Sequence, residues 1–204
     1  RRGDRRHPAS PVVGGVDLSC DAINHTFCTP SRTGFPGFDR FENQFHGSFV
    51  ASVAAGTGAA ALLATSVTVR AIELYTGTTL PPGPPDAQGR PTKIVPLSGI
   101  APKAQLYIVK VFDHTGLGIS ESLVIQGIEH IIDKKLLDGL DLDVVNMSLG
   151  GATLFDGRDL LDKAADAATA AGLTMVLAAG NEGPAPMTVA SAGSANTVVT
   201  VGAT

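Results

Sequence analysis

The chain has 204 residues, 44% hydrophobic and 17% charged, enough for one globular domain with a substantial core and far from a disordered composition. A net charge of -4 gives no electrostatic reason for a nucleic-acid partner, and no apolar run of about 18 residues offers a membrane span. Glycine is abundant and aromatics make up only 5%, so close approach of backbone, rather than bulky side chains, is expected to fill the core.

The Arg-rich opening from Arg1 to His7 reads as a chain end, not a basic patch, and Arg2-Gly3-Asp4 is short enough to arise by chance. With no initiator Met and no charged-then-apolar leader, Arg1 is not expected to be a natural translation start. Val12 to Val16 predicts a short strand. Cys20 and Cys28 follow in a Pro/Gly-rich stretch, where a small loop-closing disulfide and two free thiols are both compatible with the spacing. Of two glycosylation sequons, that at Asn24 falls in a surface loop, whereas that at Asn146 is expected inside an apolar strand with no room for a glycan.

His46 to Ala61 is almost wholly small and apolar and predicts a buried helix. Residues 76–92, with Pro81, Pro82, Pro84 and Pro85, predict an exposed loop without regular structure, inserted at the surface. Gln105 to Phe112 predicts a strand. Ser120 then suits a helix cap, with Leu123, Val124, Gly127, Ile128, Ile131 and Ile132 on one face. Asp143–Met147, Thr174–Ala179 and Thr197–Gly202 predict further strands. Between the first two, Asp159–Ala170 predicts a helix with Leu160, Leu161, Ala164, Ala165 and Ala168 on one side. This alternation implies an α/β fold with a parallel sheet covered on both faces, its working residues at the carboxyl ends of the strands.

Three segments stand at such places: His46-Gly47-Ser48-Phe49-Val50-Ala51, Asn146-Met147-Ser148-Leu149-Gly150-Gly151, and Ala178-Ala179-Gly180-Asn181-Glu182-Gly183. Singly, each has an ordinary structural explanation as surface polarity or a Gly-containing turn. Together and in this order they resemble the subtilisin-like serine proteases. That family's histidine motif reads His-Gly-Thr-His-Val-Ala. Gly99 to Ala104 and Val199 to Ala203 resemble further core segments of the same family. The resemblance implies a three-layer, parallel-sheet subtilisin-like fold, of which residues 1–204 would be a partial catalytic domain.

It also implies roles. His46 would be the general base, and Asn181 would donate its amide to the oxyanion of the tetrahedral intermediate. Ser148, Leu149 and Gly150 would bind an extended substrate by strand addition and wall its main specificity pocket. A peptide or protein substrate, an extracellular location and a monomeric complete domain follow from the resemblance. No cofactor is required for the chemistry, and structural calcium is implied by the family alone, because no carboxylate cluster stands out.

The pattern fails at the nucleophile. The family's serine motif, near Gly-Thr-Ser-Met-Ala, should follow Asn181 by several tens of residues; only 23 remain, and neither Ser191 nor Ser194 has that setting. The triad aspartate is either Asp17, in a poor setting, or a residue immediately before Arg1. The latter alignment matches His7-Pro8-Ala9 and Val12 to Asp17 to a subgroup of large secreted members and explains more consecutive residues. Phe49 and Ser52 replace a family His and Gly, changing the packing expected around His46. The expectation is a serine endopeptidase segment that does not hydrolyse peptides by itself and is poorly soluble alone. The alternative is a protease-like protein that binds peptides without cutting them.

Overall fold

The computed structural model describes residues 12–18, 46–112, 120–151 and 157–203. In chain order the elements are β1 (Val12–Asp17), α1 (His46–Ala55), β2 (Thr57–Leu63), α2 (Val67–Thr76), β3 (Pro82–Gly83) and β4 (Thr92–Ser98). They continue with β5 (Leu106–Lys110), α3 (Glu121–Leu136), β6 (Val144–Met147), α4 (Leu160–Ala170), β7 (Thr174–Ala178) and β8 (Val199–Val201). β1 and β5 form a two-stranded sheet. The described residues fall into two compact units, one of residues 12–15 and 46–108, the other of 16–18 and 109–203.

The first unit departs most from the sequence expectation. The predicted helix from His46 stops at Ala55, and the chain continues as strand β2; only Ala55 of α1 is buried. Gly56 explains the stop. Its N–H donates to the Ser52 carbonyl at 2.9 Å, and a Cβ at this position would lie 2.5 Å from that same oxygen. β2 then pairs antiparallel with β4 along its whole length, Thr57 opposite Ser98 and Leu63 opposite Thr92. The connecting α2 is capped at both ends: the Ser66 hydroxyl accepts from the Val69 N–H at 3.3 Å, and Gly77 takes a left-handed conformation at φ 65°.

Pro82 and Gly83 add a short strand on the far side of β4, so residues 76–92 contain regular structure after all. The prolines permit this because β3 is an edge strand, where a missing N–H costs little. Leu80 is buried, with its N–H donating to Glu73 Oε1 at 2.8 Å. A small core of Val69, Leu80 and Val95, flanked by Leu62 and Ile72, serves this module alone.

The second unit follows the predicted alternation. β6, β7 and β8 form a parallel sheet with β7 at its centre, Met147 opposite Leu177 and Ala178 opposite Val201. Met175 and Leu177 point into a core with Val124, Ile128 and Ile131 of α3 and Leu161, Ala165 and Ala168 of α4. Gly127 lets α3 lie close, since a Cβ there would stand 3.1 Å from Val111 and 3.2 Å from Val109. Two expectations need correction. Leu160 is exposed, because the Asp159 cap orients the first turn with Leu161 inward. The sheet is not covered on both faces among the described residues: in β7 the buried Met175 and Leu177 alternate with exposed Thr174 and half-buried Val176 and Ala178, and Val144, Val199 and Val201 on the edge strands are exposed. No described helix is long and apolar enough to cross a membrane.

Candidate functional site

The histidine segment belongs to the first unit. His46 is the first residue of α1 and is exposed, so the helix presents an imidazole to solvent at its N-terminal end. Phe49, in place of a second histidine, is 67% exposed, so it alters surface and not the interior. Ser52 is also exposed, and its hydroxyl donates back to the Phe49 carbonyl at 2.7 Å. The other end of α1 is fixed firmly. The N–H groups of Gly99, Ile100 and Ala101 donate to the carbonyls of Gly56, Val53 and Ala54 at 2.7, 2.9 and 2.8 Å. A Cβ on Gly99 would come within 2.6 Å of the Gly56 nitrogen, so only glycine fits.

Ser148, Leu149, Gly150 and Asn181 belong to the second unit. They leave the C-terminal ends of neighbouring parallel strands, β6 and β7, where an open α/β sheet gathers its ligand groups. Ser148 is half-buried and its hydroxyl accepts from Asn146 Nδ2 at 3.0 Å. Asn146 itself is exposed, contrary to the expected burial, because β6 is an edge of this sheet. Leu149 packs against the main core, anchoring the segment while leaving Gly150 exposed. Gly180 has φ 93°, a conformation that glycine favours, and turns the chain so that Asn181 stands exposed beyond the strand end.

A third segment, around Ala190 and Ser191, joins these two. Ala190 donates its N–H to the Ala179 carbonyl at 2.9 Å, and Ser191 exchanges two backbone bonds with Gly151 at 3.0 and 3.2 Å. A Cβ on either Gly150 or Gly180 would lie 2.8 Å from the Ala190 methyl. Both glycines are therefore required by the close fit of Ala190. The Gly-Gly and Ala-Gly pairs were visible in sequence; their shared contact was not.

Neither remaining serine is arranged as an activated nucleophile. The Ser191 hydroxyl is buried and has no hydrogen-bond partner, while Ser194 Oγ donates to the Asp162 carboxylate at 2.9 and 3.0 Å. Asp17 closes β1, and its side chain lies outside the described residues, as do Cys20, Asn24 and Cys28. Among the described residues no group of three or more His, Cys, Asp or Glu side chains comes together as a metal site.

The sequence model described as the Subtilase family (Peptidase_S8) matches residues 23–204. The chain belongs to the subtilase family. Among characterised relatives it is 44% identical over 100 residues to "Subtilisin E" of Bacillus subtilis (strain 168), covering 49% of this chain and 22% of that protein. It is 40% identical over 110 residues to "Serine protease AprX" of the same organism, covering 52% of this chain and 24% of the relative. Among solved structures it resembles "Sphericase" with a TM-score of 0.44 and 27% identity, covering 50% of this chain and 32% of that one. These residues thus span about a quarter of the length of the two relatives. Subtilase membership agrees with the α/β reading and with the parallel β6-β7-β8 sheet flanked by α3 and α4.

Proposed function

We propose that this chain is catalytic-domain sequence of a subtilisin-like serine endopeptidase, with His46 as general base, Asn181 as oxyanion donor, and Ser148 to Gly150 as one wall of the peptide groove. The match of the Subtilase family to residues 23–204 carries the reading. The local geometry supports it: an exposed histidine opens α1, and the groove residues and Asn181 follow the ends of parallel strands. In the reaction, His46 takes the proton of an attacking serine hydroxyl and later delivers it to the leaving amine. The Asn181 side-chain amide stabilises the negative oxygen that forms on the attacked carbonyl. The backbone of residues 148–150 holds the substrate extended. Protein substrates and an extracellular location belong to the same proposal, the latter supported by the sequon at Asn24.

Residues 1–204 contain no Gly-Thr-Ser-Met-Ala element, so this polypeptide alone is expected to bind an extended peptide without cleaving it. Titration with a blocked hexapeptide, followed by NMR, should shift the amides of residues 148–150. Unmoved amides there would remove the groove from the proposal. Cleavage that a serine-directed reagent blocks would show that a nucleophile is present after all. In a polypeptide joining these residues to a serine element, His46→Ala should abolish turnover. Asn181→Ala should lower turnover by about 10²–10³, the magnitude established for the equivalent donor of subtilisin itself.

A further inference from the structure

Helix α4 carries two carboxylates that leave the helix for the same segment of chain. Asp159 caps it, accepting the Asp162 N–H at 2.8 Å. An acidic residue three positions after a cap ordinarily reaches back towards that cap or out to water. Asp162 reaches back to the Asp159 backbone N–H, and it also reaches beyond the cap. It is 0% exposed, and its carboxylate accepts the Ser194 hydroxyl. One turn further on, Asp166 Oδ1 accepts the Thr197 N–H at 2.9 Å and the Thr197 hydroxyl at 2.6 Å, while Oδ2 accepts Asn196 Nδ2 at 3.1 Å. The helix thus holds the turn 194–197 at both ends.

That turn is continuous with the segment behind the groove. The Ser194 N–H donates to the Ala190 carbonyl at 3.1 Å, and Thr200 Oγ1 donates to the Gly193 carbonyl at 2.5 Å. Ala190 and Ser191 in turn make the contacts with Gly150, Gly151 and Gly180 already described. Asp162 is therefore linked to the groove wall through one side-chain bond and a short stretch of backbone pinned by hydrogen bonds at Ala190, Ser191, Gly193 and Ser194.

A buried carboxylate whose described partners are a hydroxyl and a backbone N–H is an expensive way to fill space. Burial pushes its pKa up, although the Ser194 bond and the helix N-terminus both favour the charged form. Apolar side chains of similar volume usually pack there at no loss of stability. What they lack is direction: only an acceptor holds a hydroxyl at one point. We infer that Asp162 is a positioning residue which, through Ser194, seats residues 190–193 against Gly150, Gly151 and Gly180 and thereby sets the geometry of the peptide groove. The inference rests on the proposed reading of that groove.

Amide hydrogen exchange on the 204-residue chain tests the positioning without requiring catalysis. In Asp162→Leu the Gly151 and Ser191 amides should exchange roughly 10-fold faster relative to Leu177 in the core, whatever happens to the melting temperature. Asp162→Asn keeps an acceptor for Ser194 and should restore most of that protection. Ser194→Ala, which removes the hydroxyl and leaves the helix intact, should reproduce the leucine effect. Binding of a blocked hexa-alanine peptide should weaken in the leucine and alanine variants and recover in the asparagine variant. If all amides change together with global stability, or the bridge amides do not change, the inference is overturned. An unmodified chain that fails to bind the peptide counts against the groove alone, since exchange decides the positioning independently.

Discussion

The module of β2, α2, β3 and β4 and the sheet of β6, β7 and β8 are built on opposite plans. The first is antiparallel, its strands β2 and β4 joined through a helix whose buried residue Val69 meets Leu80 and Val95. The second is parallel, built on a core of a dozen buried residues drawn mainly from α3, α4 and β7. Both are recorded in the sequence, but at different strengths. A parallel strand buried beneath helices must be a nearly continuous apolar run, which stands out. A small sheet with one partly buried face needs only a few such residues, and small or turn-forming ones conceal the rest.

The two plans predict separable responses to mutation. Leu177→Ala should remove about 2–5 kcal/mol from the second unit, and a thermal melt followed by residue-resolved NMR should show β2 and β4 outlasting β7. Simultaneous loss of both would merge the two regions into one cooperative body. Gly99→Ala should strain the first unit by about 1–3 kcal/mol, since its Cβ meets backbone that has little room to move. Denaturant titration of that variant should leave the β6-β7-β8 signals unchanged. Ser66→Ala removes the α2 cap and should cost about 1 kcal/mol, visible as faster amide exchange in the first turn of α2.

The smallest effect sharpens the contrast within α4 itself. Hydrogen bonds from Thr197 and Asn196 hold the Asp166 carboxyl below the ordinary aspartate value of about 3.9, whereas burial holds Asp162 above it. For Asp166 the unfolded chain binds its proton first on acidification, so its stabilising share is present at neutral pH and is lost as pH falls through the folded pKa. For Asp162 the sign reverses: the native state takes up the proton first, and stability contributed below the unfolded value fades as pH rises through the folded one. Acid titration monitored at the two carboxyl carbons should show the Asp162 midpoint above the Asp166 midpoint; the opposite order would refute both assignments of cause.

The same contrast explains what could be read from sequence. The helical face of Val124, Ile128 and Ile131 and the strands at Val144 and Thr174 were plain from periodicity, because the core that selects them is large. The Gly56 break between α1 and β2 was missed because the alanines on either side suit a tightly packed helix and a small-residue strand alike. Prolines at 81, 82, 84 and 85 hid an edge strand that needs few N–H groups. At the candidate site, His46, Asn181 and the glycines announced themselves by motif. Ala190 and Asp162 did not, since their importance lies in which distant residue each touches, and no local pattern encodes that.

The pinch of backbone where Gly99 meets Gly56 has a consequence beyond the packing of α1. Because the chain departs at Thr57 and returns at Ser98 as directly paired neighbours, whatever lies between them enters and leaves through a single socket. Closing a longer or shorter excursion through such a socket changes the loop entropy only logarithmically. The 57–98 stretch is thus a natural place for a fold of this kind to exchange one surface attachment for another while the His46 helix keeps its footing.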